Sequence, residues 1–234
     1  MKRFFCSSIA GMLLIIVTAA ILPQINRLTL EKEIVVLQKQ LIEKERSFIE
    51  PSAQDKILYS QFLTQPDSGI FRLLSRGGGS TQKLLTVSGN GTYYSFARLT
   101  NEYGYGNDIS LETGRLRMAN GSSSMGLISL LGDIPLETVT MGHPSVEFLK
   151  NAMTGKDSPI RQVQRQSQNG FRQGEFTYTK EVVAAPNTTY VLRSVDPPGS
   201  DVLIALRVVR RDADGSVTII WKKLKTYPAP VIER

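Results

Sequence analysis

The sequence predicts an α+β chain that is mainly β. An N-terminal transmembrane helix and a short coiled-coil stalk precede a β-sandwich or partly open barrel domain with one or two helices. Three observations predict this. A charge-free apolar segment, "FFCSSIAGMLLIIVTAAIL", runs from Phe4 to Leu22. A heptad-like helical pattern follows it. From Gly69 onward the chain breaks into short β-branched or aromatic runs punctuated by Gly, Asn, Asp and Pro.

Roughly 19 residues at about 1.5 Å each make a helix near the ~30 Å thickness of a hydrocarbon core. Residues 4–22 are therefore expected to be a transmembrane anchor and 1–3 a short cytoplasmic tail, with Pro23 as the end signal. Lys2 and Arg3 hold that tail inside, so the expected location is a single-pass membrane protein with its bulk extracytoplasmic. Arg27, Lys32 and Lys39 on the other flank weaken the asymmetry. The rival expectation is secretion after signal cleavage, since Thr18-Ala19-Ala20 offers the small residues a peptidase needs. The apolar run is long for a signal segment and continues through Ile21 and Leu22, which favours the anchor. The single cysteine, Cys6, leaves no thiol pair, disulfide framework or Cys-rich metal site.

Residues 24–50 are read as the helical stalk. Leu30, Ile34, Leu37, Leu41 and Phe48 fall at a/d spacing, with Lys44 interrupting one d position. A homodimer through Leu30, Ile34, Leu37 and Leu41 is the expectation, because anchoring in a membrane raises local concentration. The plainer alternative is a lone amphipathic helix packed on its own domain. Pro51 breaks the pattern and opens a linker over 51–68, in which a short helix resumes near Lys56 to Leu63.

Residues 69–234 make the β-rich extracytoplasmic domain. Expected strands are "GIFRLLSR", "KLLTVSG", "TYYSFARL", "DISLETGRLRMA", "MGLISLLG", "GEFTYTKEVVAA", "TTYVLRSV" and "DVLIALRVVRR". In "DISLETGRLRMA", Ile109 and Leu111, then Leu116 and Met118, alternate with polar residues around Thr113-Gly114, which predicts a hairpin with one buried face. "DVLIALRVV" is apolar on both faces and predicts a central strand. A helix is expected in "HPSVEFLKNAMTG", with Pro144 near its start and Gly155 past its end; a second, polar helix covers Ile160 to Gln168.

The net charge of +7 suits an anionic partner, but the Lys and Arg residues are scattered, so nucleic acid is not expected. Most apparent motifs fail on geometry. Asp212-Ala-Asp-Gly215 resembles a calcium loop, yet the alignment puts Arg210 at the first ligand position and Trp221 at the last, so a hairpin turn is expected instead. Ser80-Thr-Gln-Lys83 spells S-x-x-K but follows three glycines and runs into a strand-like segment. "RGGGSTQK" lacks phosphate-loop spacing. "GSSSMG" misses G-x-S-x-G by one residue and leaves only His143, at a helix start, as a base. No catalytic residue, metal ligand or cofactor is assigned. Asn90, Asn120 and Asn187 open glycosylation sequons, meaningful only in a eukaryotic secretory path.

The most suggestive stretch is "RLTNEYGYGNDISL". Tyr103 and Tyr105 alternate with glycines and are followed by Asn107 and Asp108, a composition that sets rigid amphipathic rings on a tight loop. These four residues are the expected binding site for a protein or envelope-polymer partner, and the plainer reading is a turn whose rings fold back on the sheet. The function expected is a membrane-anchored, non-catalytic interaction or scaffold protein. The alternatives are a tethered hydrolase using Glu102, Asp108 or His143, and a β domain that binds lipid or a small ligand. In layout alone, the chain resembles bitopic accessory subunits of pilus or secretion machines.

Overall fold

The structure is a computed structural model of the 234-residue chain. It describes residues 7–77, 83–104, 106–119, 124–151, 169–197 and 199–229, with residues 7–25 as helical backbone alone. The chain is mostly β, with two antiparallel sheets and few helices.

The strands are β1 (Ser68–Leu73), β2 (Tyr93–Tyr94), β3 (Ile109–Glu112), β4 (Arg115–Met118), β5 (Met125–Gly132), β6 (Phe171–Gln173), β7 (Phe176–Thr179), β8 (Glu181–Val183), β9 (Thr188–Asp196), β10 (Ser200–Arg211) and β11 (Val217–Thr226). Among the described residues, the larger sheet has the order β1-β11-β10-β9-β5-β7-β6 and the smaller β2-β3-β4-β8.

The period-two alternation of strand side chains sorts the core into two clusters. On β10, Val202, Ile204, Leu206 and Val208 enter one cluster, while Leu203 and Ala205 enter the other. The unbroken apolar run thus marks a strand buried on both faces, between β9 and β11. The first cluster is shared with the smaller sheet: Ile109, Leu111, Leu116 and Met118 of the expected β3–β4 hairpin meet Tyr190, Ile204, Ile219 and Trp221. Phe71 stacks on Tyr94 within it, with ring centroids 3.7 Å apart. The second cluster packs Val191, Leu203 and Ile220 of the larger sheet against Phe62, Leu136, Val146 and Leu149 from helical segments.

Helix α1 spans Ser7–Ile49. The chain divides into two compact units, Met1–Lys44 and Glu45–Arg234, so the last turn of α1 belongs to the second. In the first unit Leu30, Ile34, Leu37 and Leu41 are all exposed. Among the described residues no helix is long and apolar enough to cross a membrane; the 4–22 segment on which the anchor expectation rests lies outside the residues whose side chains are described. The expected linker holds two short helices, α2 (Ala53–Leu58) and α3 (Ser60–Leu63). Ser52 and Asp55 form a capping box at the start of α2, which explains why the chain turns helical so soon after Pro51. Helix α4 covers Pro144–Asn151, and the polar helix expected over 160–168 lies outside the described residues.

Two expected strands are corrected. "KLLTVSG" (83–89) is not a strand but a series of bends leading into a 3-10 turn at Ser88–Gly91. The cause is Glu45: its carboxylate accepts the N–H groups of Leu85 at 2.6 Å and Thr86 at 2.7 Å, so these amides bind a helix side chain rather than a strand partner. "TYYSFARL" contributes only Tyr93 and Tyr94 to a strand before turning at residues 96–99, where Leu99 adopts φ +55°. The same corner receives Ile49, whose methyl group occupies the space a side chain at Gly91 would need. The Leu85 amide and the Thr86 groups hold the Glu45 carboxyl below the usual range. Their contribution is present above the unfolded carboxylate pKa and lost as pH falls through the folded one. Glu45→Gln is expected to speed hydrogen exchange of the Leu85 and Thr86 amides at neutral pH while sparing those of β10. Unchanged exchange at both amides would count against this docking.

Candidate functional site

The loop from Ser95 to Asp108 is built from backbone and side-chain braces. Ser95 and Thr100 close a small turn, and the Tyr103 N–H donates to the Ser88 carbonyl at 2.8 Å. Asn107 ties the next turn together. Its Oδ1 accepts from the Gly104 N–H at 2.6 Å and its Nδ2 donates to the Glu102 carbonyl at 2.8 Å. Gly106, at φ +90°, passes where a side chain would stand 3.3 Å from Asp196 Oδ2 and 3.5 Å from the Arg98 guanidinium.

Of the three described residues among the four expected to bind, Tyr103 alone is on the surface. It is 60% exposed, with its ring 4.8 Å from that of Tyr93. Gly89 lies directly beneath this pair, at φ +76°, where any side chain would strike both tyrosines. Tyr105 lies outside the described residues. Asn107 is buried as the brace just described, and Asp108 is fully buried. Asp108 Oδ2 accepts from the Phe96 N–H at 2.6 Å. Burial pushes this carboxyl up to about 6, and Asp196 adds to the rise; the Ser194 hydroxyl and the Phe96 and Ala97 amides oppose it. Asn107 and Asp108 thus shape the loop from within, and among the described residues the Tyr103 ring is the part that can touch a partner.

The other chemical candidates fall in separate surroundings. His143 sits at the start of α4, where its Nδ1 is 2.7 Å from Ser145 Oγ and within 3.3 Å of the Ser145 N–H, as a helix cap. Ser145 is fully buried, so the pair offers no hydroxyl to a substrate. Glu102 lies on the tyrosine loop and Asp108 beneath it, whereas His143 packs against Phe176 on the helical side. The Asp212–Gly215 segment is the expected turn. Asp212 N–H donates to Ser216 O at 2.9 Å, Gly215 N–H to Asp212 O at 3.0 Å, and Gly215 has φ +81°. Its carboxylates meet guanidinium groups: Arg72 Nη2 lies 3.0 Å from Asp212 and 3.3 Å from Asp214, and Arg210 Nε 2.7 Å from Asp212. Two arginines therefore occupy the place a cation would take. Among the described residues no group of three or more His, Cys, Asp or Glu side chains is placed to hold a metal.

The sequence reading missed a cleft. Helix α4 and the β6–β7 hairpin enclose about 520 Å³, lined by Phe148, Phe176 and Tyr178 together with Glu147 and Glu175. Tyr178 forms the floor, its hydroxyl donating to the Ser145 carbonyl at 2.7 Å, and Phe148 packs on it with centroids 4.6 Å apart. Lys150 beside Glu147 holds that carboxyl below its usual range. No local motif could have announced this site, because its walls come from segments some two dozen positions apart, joined only by the fold. The helical spacing of Val146 and Leu149 was the one available signal, since it turns Glu147 outward and leaves Phe148 at the edge of the core.

No protein-family model matches the chain, and no curated protein or solved structure matches it.

Proposed function

We propose that this chain is a membrane-anchored, extracytoplasmic interaction module without catalysis. Its β-rich domain holds a protein or envelope-polymer partner, and its helical stalk pairs with a second copy. The observation that carries the reading is Tyr103: a ring 60% exposed, on a loop braced by Asn107 and Ser88, that rests against Tyr93 of β2 over Gly89. A rigid aromatic shelf of this kind offers contact area at little cost in conformational entropy. Support for the stalk comes from Leu30, Ile34, Leu37 and Leu41, which keep 36–62% exposure along one a/d seam. Support for the anchor comes from the charge-free run at 4–22.

The domain reads as a sandwich rather than a partly open barrel, because the described strands form two separate sheets that share one core cluster between them. A short tail at 1–3, an anchor at 4–22, a stalk at 24–50, a helical connector at 51–68 and a domain from 69 complete the organisation. The stalk–domain junction includes Glu45 and Ile49, so partner assays need the chain from well before Pro51.

The test is affinity capture by the full chain in detergent. Tyr103→Ala is expected to lose the captured partner while Trp221 fluorescence reports an unchanged fold. Equal recovery by the variant, or release of the full-length protein from membranes by alkaline extraction, would remove the reading.

A further inference from the structure

We propose that the cleft between α4 and the β6–β7 hairpin seats a cationic side chain, arginine in preference to lysine, presented by a protein partner. This rests on the interaction-module reading but uses a surface separate from Tyr103.

Charge complementarity is the first argument. The chain as a whole carries +7, yet among the described residues the charged groups lining this cleft are the carboxylates of Glu147 and Glu175. Glu147 already meets Lys150, whereas Glu175, on the hairpin turn, takes part in no ion pair among the described residues. Among the described residues, an incoming cation therefore finds one carboxylate without an ion pair and a second shared. A carboxylate-bearing partner would meet like charge at both.

The second argument is the shape and chemistry of the walls. Phe148 and Phe176 are only partly buried, and Tyr178 closes the floor between them. A ring face attracts a cation through its quadrupole, and a guanidinium adds planar stacking that an ammonium lacks. The same fork reaches a carboxylate with two parallel N–H groups. A cleft of about 520 Å³ also falls in the size range of ordinary ligand pockets and holds one long side chain with its flanking backbone.

The third is rigidity. Val146 and Leu149 anchor α4 in the core, and Arg193 caps the helix end by donating to the carbonyls of Leu149 and Lys150. The Phe148 ring is thus held before anything binds, which reduces the ordering cost of association.

The experiment is fluorescence anisotropy with the full chain in detergent micelles and fluorescein-labelled pentapeptides Gly-Ser-X-Ser-Gly, where X is arginine, lysine, citrulline or glutamate. Citrulline keeps the size of arginine without its charge. The expected order is arginine, then lysine, with citrulline roughly tenfold weaker than arginine and glutamate weakest. Glu175→Gln is expected to weaken the arginine peptide by a similar factor, and added salt to weaken it further. Phe148→Leu keeps apolar volume while removing the π face, and is expected to narrow the gap between arginine and lysine. Tyr103→Ala is expected to leave all four affinities unchanged. Equal binding of arginine and citrulline, or full binding by Glu175→Gln, overturns the proposal. If Tyr103→Ala alone abolishes arginine binding, the cleft proposal falls and the tyrosine shelf stands.

Discussion

Replacing Arg193 with methionine is expected to lower the unfolding free energy by about 3–5 kcal/mol, the cost of leaving a buried charge without its partner. Arg193 is 1% exposed. It lies on β9 opposite Leu203 of β10, and Asp201 is the diagonal neighbour two residues along, within reach of a long side chain. The pair is bidentate: Nε donates to Asp201 Oδ1 at 2.8 Å and Nη2 to Oδ2 at 2.7 Å. Nη1 donates to the Leu149 and Lys150 carbonyls at 2.8 and 2.9 Å, and the Tyr227 ring covers the guanidinium carbon at 3.9 Å. Methionine fills much of the volume but leaves the Asp201 carboxylate stranded and two helix-end carbonyls uncapped. Urea denaturation read by the single tryptophan, buried Trp221, measures the loss.

The double variant Arg193→Met/Asp201→Leu separates the two causes. Removing both charges relieves the stranded carboxylate, so the double variant is expected to be more stable than Arg193→Met alone. It stays below the wild type because the α4 carbonyls of Leu149 and Lys150 have lost the Arg193 donor. A double variant no more stable than the single one would show that Asp201 is not the source of the cost. A single variant within about 1 kcal/mol of wild type would show that the pair contributes little to stability.

What the sequence made legible follows from how far each signal reaches. The β10–β11 hairpin was legible because its pattern is local: a two-faced apolar run, Asp212 and Gly215 at turn positions, and a second apolar run within fifteen residues. The β3–β4 hairpin was legible for the same reason. The segment at 83–89 was misread because its amides are claimed by Glu45, about forty positions earlier, and strand-like composition carries no trace of that partner. Arg193 gave no warning either. Inside "TTYVLRSV" it looks like a solvent-facing residue on an alternating strand, and only the sheet order, which lays α4 over that face, buries it. At the tyrosine loop, composition marked the right place but not the division of labour. Asn and Asp beside Gly are turn formers that bond to nearby backbone. Asn107 follows that rule, whereas Asp108 reaches the Phe96 amide twelve residues back; both are buried, which leaves Tyr103 as the exposed member among the described residues.

Asp108→Asn is expected to raise stability at pH 8 by about 1–2 kcal/mol and to change little at pH 4. The Asp108 carboxyl is fully buried beneath the tyrosine loop, where burial and the charge of Asp196 lift it from its ordinary 3.8 to about 6. The folded state therefore holds the proton more tightly than the unfolded chain does. Between about pH 4 and pH 6 the folded protein is protonated at this site while the unfolded chain is not, so unfolding releases a proton and stability falls as pH rises. Above pH 6 the loss is complete, and it amounts to about 3 kcal/mol for a rise of this size. Asparagine stays neutral throughout and its carbonyl still accepts the Phe96 amide, but its NH₂ group needs a partner in a buried place, which takes back part of the gain. Glu45 and Glu147 run the other way: the Leu85 amide and the Lys150 ammonium respectively hold them low, so their contributions fade as pH falls. The useful quantity is hence the difference between variant and wild type, in which those terms cancel. That difference is expected to grow from pH 4 to pH 6 and then level off. A flat difference across that range would mean that Asp108 is ionised in the folded protein at little cost, with the amides of Phe96 and Ala97 compensating fully for its burial.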